Sequence, residues 1–205
     1  QQIRDAVEEN PAMEGMGTTL TALLFAGSRV GLVHVGDSRA YLVRGGTLTQ
    51  ITHDDTFVQA LVDEGRLTME EASSHPQRSL ILHALNGAEV EPDLSIREAR
   101  VGDRYLVCSD GLSDVVSPDT LLEALQLPDP HASADRLVEL ALRAGGPDNV
   151  TCIVADVIDV PYGDDQFHRR KTMPHDLDAR VVSAWRDSGI STPLFRKTSC
   201  GVAFA

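Results

Sequence analysis

Aromatic residues make up only 4% of the 205 residues, with a single tryptophan, so any core must be built from aliphatic side chains. The 42% hydrophobic content is enough for one core and one domain with a tail, and too little for two full domains. Cysteine is scarce as well. Cys108, Cys152 and Cys200 are odd in number and far apart, which excludes a disulfide framework or a paired zinc spacing. A reducing compartment, and hence a cytoplasmic location, is the expectation. No run approaches the roughly 18 apolar residues of a membrane helix, and no charged-then-apolar leader opens the chain. No membrane segment is expected in it. Positive charge is in deficit: 18 Lys and Arg against 31 Asp and Glu give a net charge of −13. That argues against nucleic acid as a partner, because such affinity rests on clustered basic side chains. Clustered acids are suited instead to hard cations. The chain opens with Gln1 inside the polar end of a helical pattern, so an earlier natural start is expected.

Short apolar and β-branched segments separated by turn residues run from Thr18 to Ile51. Gly27-Ser28, Gly36-Asp37-Ser38 and Gly45-Gly46 punctuate them, which predicts an antiparallel meander. Residues 54–90 read as a helical insertion. Asp54 or Asp55 is placed to cap a helix carrying Phe57, Leu61 and Val62, and Thr68 with Glu71 fits a capping box. Strands are predicted at Leu94–Ala99, Arg104–Cys108 and Val150–Val157. Between the last two, Ser117-Pro118 opens one helix, and a second is predicted from Ser133, with Leu137, Leu140, Ala141 and Ala144 on one face. The order predicts an α+β sandwich in residues 1–160, with helices covering antiparallel sheets. Residues 161–205 carry seven basic against five acidic residues and no sustained periodicity. They read as a mostly disordered tail, with one short amphipathic helix through Leu177, Val181, Ala184 and Trp185.

Three aspartates fall where a predicted strand ends or is about to begin: Asp37, Asp110 and Asp148. Singly, each reads as an ordinary turn residue. Together they support a sharper reading. Carboxylates at the ends of neighbouring strands can converge on one edge, and such a cluster repels itself unless a cation neutralises it. Oxygen-only donors favour Mg²⁺, Mn²⁺ or Ca²⁺ over zinc or copper. There is no His-Glu-x-x-His helix and no Walker-type glycine loop. Nor does Cys108 open a Cys-x₅-Arg phosphate cradle, since position 114 is Asp. His34, within an apolar strand, reads as a satisfied sheet residue, and Arg39 as an ion-pair partner near the acids.

Four motifs in order, Gly15-Met16-Gly17-Thr18-Thr19, Gly36-Asp37-Ser38-Arg39, Ser109-Asp110-Gly111-Leu112-Ser113-Asp114 and Gly146-Pro147-Asp148-Asn149-Val150-Thr151, resemble the successive motifs of the metal-dependent PPM (type 2C) serine/threonine protein phosphatases. The resemblance spans about residues 1–158 and is nearest to bacterial members that oppose Ser/Thr protein kinases. It implies two antiparallel sheets flanked by helices, with metals at one edge. It also implies that Asp110 and Asp148 bind the first metal of a binuclear Mn²⁺ or Mg²⁺ centre. Asp37, with Asp110, would bind a third metal, and Asn149 would steady the metal-bound water shell. Residues 54–90 would form a flap beside the site. The implied reaction is hydrolysis of phosphoserine and phosphothreonine in proteins by a metal-activated water, with no side-chain nucleophile.

The family also places a phosphate-gripping Arg and a metal-bridging Asp-Gly upstream of the first motif, and neither is in this sequence. Glu14-Gly15 mimics the bridging pair but runs directly into Thr18-Thr19. The expectation is a domain truncated at its front, monomeric, and by itself weakly active or inactive. Phosphorylated Ser/Thr proteins, and Ser/Thr kinases, are the expected partners. Two rivals stand beside this reading: a phosphatase-like module that binds kinases or other partners without turnover, and a plain cation-binding domain.

Overall fold

The structure is a computed structural model that describes residues 2–159, 182–187 and 202–204, the last two segments by their backbone. Helix α1 (Gln2–Glu9) is followed by a 3-10 turn (Pro11–Met13) capped by the Asn10 side chain, which accepts from the Ala12 N–H. The meander follows as β1 (Leu20–Ala26), β2 (Arg29–Val35), β3 (Arg39–Arg44) and β4 (Thr47–Gln50). The insertion holds α2 (Phe57–Asp63) and α3 (Met69–Ser73); then come β5 (Asp93–Glu98) and β6 (Arg104–Cys108). Three helices, α4 (Asp110–Ser113), α5 (Pro118–Leu125) and α6 (Pro130–Arg143), precede β7 (Thr151–Asp156). Strands β8 (Val182–Asp187) and β9 (Val202–Phe204) come from the C-terminal stretch.

These strands form two antiparallel sheets, β5-β2-β1-β9 and β4-β3-β6-β7-β8. Strict alternation decides their packing. In β1 and β2 the inward positions Leu23, Phe25, Val30 and Leu32 are buried against Ala40, Tyr105, Val107 and Ala155 of the facing sheet. The Phe25 and Tyr105 rings meet edge-on, with centroids 5.2 Å apart. The outer face of the five-stranded sheet is covered in turn. Tyr41, Leu106, Cys108, Cys152 and Val154 pack beneath Leu112, Leu121, Leu125, Ala134, Leu137 and Ala141 of α4–α6. Arg104 binds this layer to the sheet, donating to the Asp156 carboxylate at 2.5 and 2.7 Å and to the carbonyls of Leu125, Leu127 and Pro128.

Several sequence expectations are adjusted. The cap of α2 is Thr56, whose side chain accepts from the Gln59 N–H, and not Asp54 or Asp55, because both carboxylates have longer-range partners. The capping box of Thr68 and Glu71 forms as expected. Helix α6 begins at Pro130 under an Asp129 cap, one turn before Ser133. Ala184 and Trp185 lie in strand β8, in register with Val154 and Ile153 of β7, where a helix was expected; Leu177 and Val181 fall outside the described residues. The reading of 161–205 as a mostly disordered tail likewise falls largely outside them.

Candidate metal centre

Pairing register brings the predicted acids together. Arg39 at the start of β3 lies opposite Cys108 at the end of β6, and Cys108 lies opposite Cys152 near the start of β7. Because neighbouring strands are antiparallel, the start of β3, the end of β6 and the start of β7 share one edge of the sandwich. Asp37 stands two residues before β3, Asp110 follows Ser109 after β6, and Asp148 sits three residues before β7. The carboxylates feel one another. Burial, then the neighbouring Asp110, pushes the Asp37 carboxyl up to about 6. Burial, then Asp148, raises Asp110 as well, although the Gly111 N–H opposes it.

Backbone contact explains the closeness of Asp110 and Asp148. Gly111 lies so near Asn149 that a Cβ at residue 111 would stand 2.3 Å from the Asn149 carbonyl oxygen, so only glycine fits there. Ser109 stitches the same two segments. Its N–H donates to the Thr151 carbonyl at 3.0 Å, its hydroxyl donates to the Asn149 carbonyl at 3.1 Å, and it accepts from the Thr151 N–H at 3.1 Å. Each carboxylate is oriented by the next residue: Asp110 Oδ1 accepts from the Gly111 N–H at 2.8 Å, and Asp148 Oδ1 from the Asn149 N–H at 2.6 Å. Both of these Asn149 contacts are made by its backbone, through the carbonyl and the N–H.

The Asp37 turn is held from the insertion. Gly36 has φ +105°, and a Cβ there would meet Thr19 Cγ2 at 2.4 Å. Its N–H donates to Asp55 Oδ2 at 2.8 Å, and its carbonyl accepts from the Asp55 N–H at 2.7 Å. Next to it, Arg39 grips Asp54 with Nε at 2.8 and 3.0 Å and Nη2 at 2.5 Å, while Gln50 donates to Asp54 at 2.9 Å. Burial would lower Arg39, but the Asp54 carboxylate outweighs it and holds the guanidinium above its ordinary value. The ion pair expected for Arg39 therefore exists, and its partner is Asp54.

Two acids of this edge were not among the sequence candidates. Asp54 is buried and coupled to Asp37. Asp114, one turn after Asp110 and just past the end of α4, is raised by burial and by Asp110, against the pull of Arg39. The spacing of Asp110 and Asp114 was the available signal. His34, in contrast, lies inside the sandwich with its Nε2 lacking a partner, so the expectation of a satisfied histidine holds only for its Nδ1. Burial pushes the Cys152 thiol up to about 12 and raises Cys108 further, which leaves both as inert members of the core.

The donor set at the edge is all oxygen and suits a hard cation. Among the described residues no group of three or more His, Cys, Asp or Glu is close enough to hold a metal ion.

The model of a family described as "Protein phosphatase 2C" matches residues 1–151. The chain belongs to this family. It is 72% identical over 160 residues to the serine/threonine protein phosphatase PstP of Mycobacterium tuberculosis, covering 78% of this chain and 31% of that protein. It is 36% identical over 159 residues to the serine/threonine phosphatase stp of Listeria welshimeri, covering 76% of this chain and 63% of the relative. The crystal structure of the M. tuberculosis phosphatase superposes with a TM-score of 0.75 at 71% identity, covering 77% of this chain and 67% of that one. A second structure, the PstP catalytic domain in complex with two manganese ions, gives a TM-score of 0.73 at 68% identity, covering 77% and 66%. The chain thus spans less than a third of the curated mycobacterial relative. Among the described residues, no helix is long and apolar enough to cross a membrane.

Proposed function

We propose that this chain supplies most of a metal-dependent phosphatase domain that hydrolyses phosphoserine and phosphothreonine in proteins, opposing Ser/Thr kinases in the cytoplasm. The carrying observation is the meeting of Asp37, Asp110 and Asp148 at one sandwich edge, in a chain of this family. Asp110 and Asp148 would hold one Mn²⁺ or Mg²⁺, and Asp37 with Asp110, next to Asp114, a further one. Bound there, such cations lower the pKa of water and neutralise charge developing on the phosphoryl group. The chain's part is to hold the carboxylates in place: Gly111 against Asn149 fixes the spacing of Asp110 and Asp148, and Arg39 balances the charge of Asp54.

Weak cation binding and slow turnover remain the expectation for the 205-residue chain alone. The rival reading is a phosphatase-like binding module, which loss of a metal aspartate would favour, whereas Asp37, Asp110 and Asp148 are all retained. To separate the two, the chain is extended at its front with the corresponding segment of the M. tuberculosis relative, and phosphate release from a phosphothreonine peptide is followed with and without Mn²⁺. Mn²⁺-dependent release that falls at least about 100-fold in Asp110→Asn and Asp148→Asn supports the enzyme. Release that ignores both substitutions removes the site assignment, and no release from the extended chain supports the module.

A further inference from the structure

The interior of the β5-β2-β1-β9 sheet changes character at its metal end. Cross-strand rows Phe25–Val30 and Leu23–Leu32 are apolar, but the next row, Thr21–His34, is polar with both residues 0% exposed. The Thr21 hydroxyl lies 2.9 Å from His34 Nδ1, 3.0 Å from the Ser38 carbonyl oxygen and 2.8 Å from Ser38 Oγ. Ser38 is 2% exposed and directly follows Asp37. A polar row with an orphaned ring nitrogen is a poor choice for core stability, and such departures concentrate where function needs them.

Asp37 is consequently held from both sides. Gly36 before it is fixed by Asp55, and Ser38 after it by Thr21. We propose that Thr21, backed by His34, is a positioning residue that sets the direction of the Asp37 carboxylate and so the cation affinity of the Asp37 position. The inference rests on the metal reading given under Proposed function. The hydrogens order themselves if His34 carries its proton on Nδ1. His34 Nδ1–H then donates to Thr21 Oγ1, Thr21 donates to the Ser38 carbonyl, and the Ser38 hydroxyl donates to Thr21. Only the Nε2 lone pair is left over, and a bare acceptor is tolerated in a core better than a bare N–H.

The test uses the 205-residue chain. Mn²⁺ affinity is measured by electron paramagnetic resonance titration, and melting is followed separately. Thr21→Val keeps the shape and removes the hydroxyl; about tenfold weaker Mn²⁺ binding is expected, restored by Thr21→Ser. In an Asp37→Asn background Thr21→Val should weaken binding no further, since both act on one position. Ser38→Ala, a smaller perturbation, should weaken binding in the same direction if Thr21→Val folds poorly. Nitrogen-15 shifts of His34 should show the Nδ1–H tautomer. Binding weakened by Asp37→Asn but unmoved by Thr21→Val and Ser38→Ala, or an Nε2–H tautomer, overturns the relay alone. Binding that Asp37→Asn leaves unchanged overturns both the relay and the metal role of Asp37.

Discussion

The two sheets share an interior but differ on their outer faces. Over β3, β6 and β7, helices α4–α6 close the outer face, and Leu106, Cys152 and Val154 beneath them are fully buried. On the outer face of β1, β2 and β5, Leu24 is 49% exposed, Leu94 66% and Ile96 75%. Register lines these up, with Leu24, Gly31 and Ile96 in one row and Ala22, Val33 and Leu94 in the next. The acids at the edge are carried by the doubly covered sheet. Asp37, Asp110 and Asp148 are strand-end residues, so their mutual geometry is only as fixed as the strands behind them, and those strands are clamped from both faces.

Equal chemistry on the two outer faces should therefore have unequal effects. Leu106→Ala should destabilise by about 2–5 kcal/mol, because the closed layer cannot collapse onto the space left. Chemical denaturation measures it, and a loss below about 1 kcal/mol would show the helical layer to be loose. Arg104→Leu should follow with about 2–3 kcal/mol, since it leaves Asp156 and three helix-end carbonyls without their donor.

The acid edge itself should cost stability in the absence of cations. Asp37 is raised, so the native state holds its proton more tightly than the unfolded chain does, and stability falls as pH rises through the window from about 4 to 6. Asp37→Asn should raise the melting temperature of the metal-free protein at pH 7 by about 3–6 °C, and shrink the further rise that Mn²⁺ produces in the parent. At the opposite end of β3, the sign reverses. Burial would raise Asp103, but Arg44 at 2.6 and 2.7 Å and the Arg100 N–H hold it below the ordinary carboxylate range. That stability is present above about pH 4 and lost as pH falls further. Asp103→Asn should flatten the acid limb of a melting-versus-pH curve by about 1 kcal/mol, discounted because Arg44 is partly exposed. Ile96→Ser should be the mildest change, under about 0.5 kcal/mol, and a larger loss would mean that this face is covered in solution.

The meander was legible in the sequence because alternating β-branched segments and glycine turns are local signals. The three edge aspartates were legible for the same reason, since strand ends are where turn residues stand. What escaped was long-range. Asp54 and Asp55 look like helix caps within their own segment, and only folding brings Asp54 to Arg39 and Asp55 to Gly36. Asp114 lies beyond a four-residue helix, too short to show periodicity. The Asp129-Pro130 start of α6 was present as a cap-and-proline signal but lay before the apolar stripe. The tail's sequence has no sustained periodicity, and β8 and β9 are ordered by backbone pairing with β7 and β1.

The double grip of Asp55 makes the insertion a self-closed cassette. Its N–H and carboxylate bind Gly36, while its carbonyl accepts from the Leu82 N–H at 2.7 Å, so one residue joins the departing and returning chain. What lies between is a loop whose closure entropy grows only logarithmically, and doubling its length would add about 0.6 kcal/mol. Segments of quite different length and sequence can therefore be exchanged at this point while the acid edge keeps its spacing.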